Sequence, residues 1–305
     1  MVATVPHVSL KIHFILNPAS GHVRRRPQLA EQIRRFMSAH SLDAALTVTE
    51  RAGHATELAT TAVRCGYDMV VAVGGDGTMN EVASALVGTP TALGLIPCGS
   101  GNGLALHLGI PLRPAAALET LLSSRPRPID TGLVNGLPFF NAMGFGYEGE
   151  IAAAFASRHA RGLAGYLRVG WPLLFSHHEE ICRVTHDGGV MELPKVFTLA
   201  VLNSDQYGNK AVLAPGAKVD DGRFDLVTIP RVGVIRAGVL LWRIRFGGIS
   251  RTPEFTWCRS SRFLLERRAS GPFHTDGEPR PATNRLEVTL RPRSLQVLVP
   301  AGGSG

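Results

Sequence analysis

The stretch Val70–Val82, "VVAVGGDGTMNEV", decides the fold. Val70 to Val73 form part of an unbroken apolar run, "DMVVAV", as in a strand buried on both faces, and residues from Met79 to Leu86 carry helical spacing. The glycines between them can be a tight structural turn. They can also let backbone N–H groups close on a phosphate at a helix start, where the helix adds partial positive charge. No lysine follows as a P-loop requires, and G-x-G-x-x-G is not matched in the first βα turn. Instead Asp76 stands among the glycines. A carboxylate beside polyphosphate is repulsive unless a cation or proton intervenes, and phosphoryl transfer supplies both. Asp76 therefore points to kinase chemistry, with an Asx-turn or helix N-cap as the plain alternative.

Working outward, "KIHFIL" (11–16), "AALTVTE" and "TALGLIP" read as strands, and Gln28–Ala39, His54–Cys65 and the start at Gly101–Leu108 as helices. This alternation predicts an α/β domain over residues 1–130, a parallel sheet with helices on both faces. Its binding crevice belongs at the carboxyl ends of the strands, where "NPASG" (17–21), "GGDGT" (74–78) and "GSGNG" (99–103) all fall. The rhythm changes at the proline- and arginine-rich "SSRPRPIDTG" (123–132). Beyond it, "GLPFFNAMG", "EICRVTHDGG", "KVFTLAVLN", "RFDLVTI", "RFLLE" and "RLEVTLRP" predict a mainly antiparallel β-sandwich over residues 131–300. Helical stretches at about 149–175 and 232–246 interrupt it, the C-terminal segment is free to return to the first domain, and the tail "AGGSG" reads as loose.

A chain of 305 residues, 45% of them hydrophobic, can bury a real core. No apolar run approaches the roughly 18 residues of a membrane span. The N-terminus lacks the charged start and cleavage site of a signal peptide, so the expected location is cytoplasmic. Cys65, Cys98, Cys182 and Cys258 form no C-x-x-C pair and read as free thiols. The net charge is +8, and with only four lysines (Lys11, Lys195, Lys210, Lys218) the other basic residues of 32 are arginines. That excess suits an anionic partner; without a zinc finger, helix-turn-helix or Arg-aromatic ribbon, a membrane surface or polyphosphate fits better than nucleic acid.

"LNPASG", "GGDGTMNEV" and "GLIPCGSGNGLALHLGIP", followed in order by "PFFNAMGFGYEGEI", "RGLAGYLR", "NSDQYGNKAVLAPGAKVDDGRFDL" and "TDGEP", resemble the diacylglycerol kinase catalytic family, which includes bacterial lipid kinases, sphingosine kinases and ceramide kinases. GGDGT alone is shared with NAD kinases and phosphofructokinases; the later segments are more specific. The resemblance implies an ATP-dependent lipid kinase using Mg²⁺ on a diacylglycerol-like or sphingoid lipid. A NAD kinase-like enzyme on a soluble nucleotide and a lipid- or nucleotide-binding pseudokinase are the alternatives. It places Asn17, Thr49, the loop Gly74, Gly75, Asp76, Gly77, Thr78, Met79 and Asn80, and Ser100 around the nucleotide. Asp76, Asp276 and Glu278 fall at catalytic positions, with the choice of proton acceptor open. Lys218, Asp221 and Arg223 fall where bacterial members hold a structural Mg²⁺, though "DDGRFD" is also a polar β-turn. Two positions depart from the pattern: Gly103 replaces a common Asp, and Glu148 in "GYEG" replaces another. Finally, "RVGVIRAGVLLWRIRF" (231–246) puts Val232, Ile235, Val239, Trp242 and Phe246 on one helical face among arginines. Such a helix either packs on the core or lies in a membrane interface, which would make the protein peripheral on the inner membrane face. Oligomeric state is left open, a homo-oligomer included.

Overall fold

The computed structural model describes residues 10–24, 26–157, 162–246, 249 and 255–301. In the first half, β1 (Lys11–Leu16), β2 (Asp43–Val48), β3 (Met69–Gly74) and β4 (Ala92–Pro97) are parallel, in the spatial order β2-β1-β3-β4. β3 and β4 are buried along their whole length, which is why they read as continuous apolar runs. Between the strands lie α1 (Gly21–Arg24), α2 (Leu29–Ala39), α3 (His54–Arg64) and α4 (Asp76–Leu86); α5 (Gly103–His107) and α6 (Pro114–Leu121) follow β4. The helices pack as two pairs, α3 with α4 and α2 with α6, as right-handed crossovers on opposite sheet faces require. The strand order reverses between β1 and β3, and a sheet of this kind binds its ligand at such a switch point.

The proline-rich segment at 123–132 is no linker. It supplies most of β5 (Arg125–Val134), antiparallel to the last strand. Pro126 and Pro128 share one parity on a stretch that β6 (Leu137–Phe139) does not reach, since β6 pairs only with Gly132–Val134. Among the described residues no strand pairs with that side of β5 at Pro126 and Pro128, so prolines with no N–H to donate fit there as at an edge.

The second half contains β7 (Ala142–Gly146), α7 (Tyr147–Ser157), α8 (Gly162–Ser176), β8 (Glu180–His186), β9 (Gly189–Val196), β10 (Thr198–Leu202), β11 (Gln206–Gly208), β12 (Ala211–Val212), β13 (Phe224–Ile229), α9 (Val234–Phe246), β14 (Thr256–Ser260), β15 (Arg262–Thr275) and β16 (Glu278–Val299). The single helical stretch expected at 149–175 is therefore two helices, and residues 158–161 between them lie outside the described residues. β15 pairs with β8 through Phe263–Arg267 and with β7 through Phe273–Thr275, its register shifting between Glu266 and Phe273. That irregular corner lets one strand serve two layers. Between them Phe139, Phe145, Val184, Phe224, Phe263 and Leu286 form the core of the β half.

"RFLLE" and "RLEVTLRP" are pieces of the β15–β16 hairpin. β16 runs on along β5 until Val297 pairs in parallel with Leu93 of β4. The C-terminal segment thus returns to the first half, where Leu295, Val297 and Leu298 join its core.

Candidate active site

The glycine loops meet at the carboxyl ends of β1, β3 and β4. Asn17, next after β1, donates its N–H to the Val73 carbonyl (3.0 Å) and its amide Nδ2 to Thr78 Oγ1 (2.9 Å), tying the first loop to the second. The second and third loops touch backbone to backbone: a Cβ on Gly99 would lie 2.6 Å from Gly75 Cα. Only glycines allow that approach. Asn102, at φ 52°, closes the third loop by pairing its amide with the N–H and carbonyl of Gly99.

Asp76 opens α4, yet its carboxylate caps a different helix. Oδ2 accepts the N–H of Asn102 (2.9 Å) and Oδ1 that of Gly103 (3.2 Å), the first donors of α5. Burial pushes the Asp76 carboxyl above the usual range; the Asn102 N–H draws it back, and the charge of Asp276 raises it.

Asp276 sits in the β15–β16 turn, where Thr275 pairs with Glu278 and both Asp276 (φ 50°) and Gly277 (φ 83°) are left-handed. Asp-Gly is the dipeptide that a two-residue hairpin turn favours. This turn aims the Asp276 side chain inward. Oδ1 accepts the N–H groups of Asn141 (2.8 Å) and Ala142 (3.0 Å), and Oδ2 accepts that of Phe140 (3.0 Å) and the Asn80 amide (2.7 Å). Burial pushes its carboxyl up against the pull of these donors.

Glu278, two residues on, is exposed and reaches the first turn of α4: a Cβ on Gly77 would lie 2.6 Å from its Oε1. The protein crowding one side of it desolvates the carboxyl and raises its pKa; Arg280 counteracts this, while Glu81 and Asp276 add to it.

Asn17, Gly74–Asn80, Asp276 and Glu278 are thus brought together. Thr49 is buried just past β2, its N–H on the Leu16 carbonyl (2.9 Å), and Ser100 is exposed on the third loop. Lys218, Asp221 and Arg223 have exposed side chains on the segment before β13. That segment is fastened to β5: Asp130 accepts the Gly222 N–H (2.8 Å) and Arg127 pairs with Asp220 (2.8 Å). Among the described residues no cluster of three or more His, Cys, Asp or Glu side chains forms a metal cage.

The departure at Gly103 has a local steric cause, and that at Glu148 has a defined partner. At Gly103 a Cβ would collide with the Asn141 amide and lie 2.8 Å from the Gln206 carbonyl, which that amide bonds (2.9 Å). Glu148, opening α7, accepts the Tyr207 hydroxyl (2.6 Å). Tyr207 in turn meets His274 Nε2 (2.7 Å), while the Gly277 N–H donates to His274 Nδ1 (3.3 Å). The hydrogen therefore lies on Nε2, and the chain runs from the turn at Gly277 to Glu148. The sequence pattern alone did not mark Asn141, Tyr207 or His274; the Asp-Gly hairpin signal was available for Asp276.

Residues 11–134 match the family model of the diacylglycerol kinase catalytic domain, and residues 141–299 match that of the YegS C-terminal NAD kinase beta sandwich-like domain. A Pseudomonas putida protein named "Probable lipid kinase YegS-like" is 33% identical over 84% of this chain and 85% of its own. A Bacillus subtilis protein named "Diacylglycerol kinase" is 32% identical over 73% of this chain and 75% of its own. The crystal structure of a diacylglycerol kinase from Bacillus anthracis str. Sterne shares the fold, with TM-score 0.77 at 22% identity over 96% of this chain and 98% of that one. With both halves matched in order, the chain belongs to the diacylglycerol kinase catalytic-domain family of lipid kinases, in the form that carries a YegS-type β-sandwich.

Proposed function

We propose that the protein transfers the γ-phosphate of ATP to a hydroxyl of a diacylglycerol-like or sphingoid lipid, with Glu278 as proton acceptor. The observation that carries this reading is the contrast among the three acidic residues. Asp276 spends both oxygens on four donors, and Asp76 holds the N–H groups of Asn102 and Gly103 at the start of α5. Glu278 stands exposed at the α4 start with a raised pKa, the property a general base needs near neutral pH. The acceptor oxygen attacks the γ-phosphorus, the bond to the β–γ bridging oxygen breaks, ADP leaves, and the hydroxyl proton passes to Glu278. Asn17, Thr49, Ser100 and the loop Gly74–Asn80 surround the nucleotide, the loop gripping phosphate by backbone N–H groups.

Mg²⁺ suits this site, because the Asp76 carboxyl, held up by burial and by the charge of Asp276, is favoured in its charged form beside a dication. Asp76 would face it, and it would spread the charge developing on the phosphoryl oxygens. The segment with Lys218, Asp221 and Arg223 offers the Asp221 carboxylate and main-chain carbonyls, the oxygen donors a second Mg²⁺ takes. Fastened to β5, that ion would brace the fold.

The test is incubation with γ-labelled ATP and Mg²⁺ against diacylglycerol, sphingosine, ceramide and NAD. Label is expected in diacylglycerol or sphingosine. Label in NAD alone, or in no product, overturns the reading. Glu278→Gln should lower kcat by about 10²–10⁴-fold, and near-normal turnover would remove it as the base.

A further inference from the structure

Helix α9 has two apolar faces, and the fold uses one. Leu240 and Ile244 pack on the cluster around Leu202, Leu213 and Val227. At 3.6 residues per turn, Ile235, Val239, Trp242 and Phe246 lie on the opposite side, spaced by four, three and four residues. This outer stripe is in the open, from 50% exposed at Val239 to 87% at Ile235. Trp242 and Phe246 pack on each other with ring centres 5.2 Å apart, making one aromatic ledge rather than two stray side chains. Arg236 and Arg243 fall along one flank of the stripe and Arg245 along the other, its guanidinium over the Phe246 ring (5.5 Å). No acidic residue occurs between Arg231 and Phe246.

A second exposed aromatic pair lies on the adjoining helix. Trp171 and Phe175 of α8 stack edge to face at 5.6 Å. The Arg231 guanidinium donates to the carbonyls of Phe175 (3.2 Å) and His177 (3.3 Å), so the end of α8 is tied to the start of α9.

We propose that the outer face of α9 docks the protein on an anionic lipid surface. An apolar stripe with aromatics and flanking arginines matches the layering of such a surface, acyl boundary inside and anionic headgroups around it. Thirteen residues of helix reach only about 20 Å, and no described helix is long and apolar enough to cross a membrane. The helix therefore lies in the interface plane. A second copy is a poorer occupant, since a two-fold contact through this stripe would set one arginine flank against another. Docking requires nothing of the reaction; that it brings the acceptor lipid to Glu278 rests on the kinase reading.

The test is flotation of the full chain with vesicles of phosphatidylcholine, with and without phosphatidylglycerol. The wild type should float with the anionic vesicles, less with the neutral ones, and less again at high salt. Trp242→Ser with Phe246→Ser should weaken binding at least about tenfold with unchanged circular dichroism, because both side chains lie off the core. Arg236→Gln with Arg245→Gln should erase the preference for anionic vesicles. If the kinase reading also holds, the Trp242/Phe246 variant should keep its turnover of a short-chain soluble acceptor and lose it on vesicle-borne lipid. A wild type that floats with neither vesicle, or a double variant that floats as well as wild type, overturns the docking proposal. So does a double variant that only converts a dimer to a monomer. A wild type that floats but labels no lipid keeps the docking surface and overturns the kinase reading.

Discussion

Asp276 and Glu278 are two residues apart and meet opposite surroundings. Asp276 is gripped by three backbone N–H groups and one amide, so an asparagine there, though the same size, turns an NH₂ toward donors. Asp276→Asn should therefore destabilise the protein by about 1–3 kcal/mol for each donor left unmet, read as the midpoint of urea unfolding. An unchanged midpoint would mean that Asp276 does not pin the turn before β7. Gly103 makes a second prediction. A carboxylate at this position looks like the restoration of a missing metal contact. Its Cβ, however, has no room beside Asn141 and the Gln206 carbonyl. Gly103→Asp should cost about 1–3 kcal/mol and lower turnover, whereas a gain in activity at unchanged stability would show that the position is vacant for a side chain.

Between elements, the same site is wired through Glu81. Helix α3 is preceded by Gly53 as N-cap, with no side-chain cap of its own, and Glu81 of α4 supplies one, accepting the N–H groups of Gly53 (3.0 Å) and Ala55 (3.1 Å). Glu81→Ala should cost about 0.5–2 kcal/mol. Its charge also raises the Glu278 pKa, which Arg280 lowers. A base accepts a proton only when ionised, so kcat/KM should fall as pH drops through that raised pKa. Glu81→Gln removes a repelling charge and should move this acid limb to lower pH; Arg280→Gln removes an attracting one and should move it higher. Shifts in the same direction, or none, would count against Glu278 as the base. These couplings also mark how far the sequence could be read. β3, α4 and β4 were legible because apolar runs and glycines are local signals. β5 was not, because Pro126 and Pro128 argue against a strand until the open edge beside them is known. Asp76, Asp276 and Glu278 were legible as a motif. Their separate surroundings depend on partners far along the chain, such as Asn80 at 196 residues from Asp276.

At the scale of the molecule, β16 carries the prediction that decides whether the two halves are one folding unit. It leaves the Asp276–Gly277 turn, passes through the β core at Leu286 and Val288, and ends in the core of the first half at Leu295 and Val297. A strand shared in this way should couple the stability of both cores. Leu295 is fully buried, so Leu295→Ala should cost about 2–5 kcal/mol. The tryptophans make the coupling readable, since Trp171, Trp242 and Trp257 all lie in the second half. Trp257, half-exposed on β14 with its Nε1 on Asp225 (2.7 Å), reports the β layers directly. If the halves unfold together, Leu295→Ala shifts the tryptophan fluorescence midpoint in urea by as much as the far-ultraviolet circular dichroism midpoint, although the lost side chain belongs to the other core. A fluorescence midpoint that stays put while circular dichroism splits into two steps would mean that β16 joins two independent cores without coupling them.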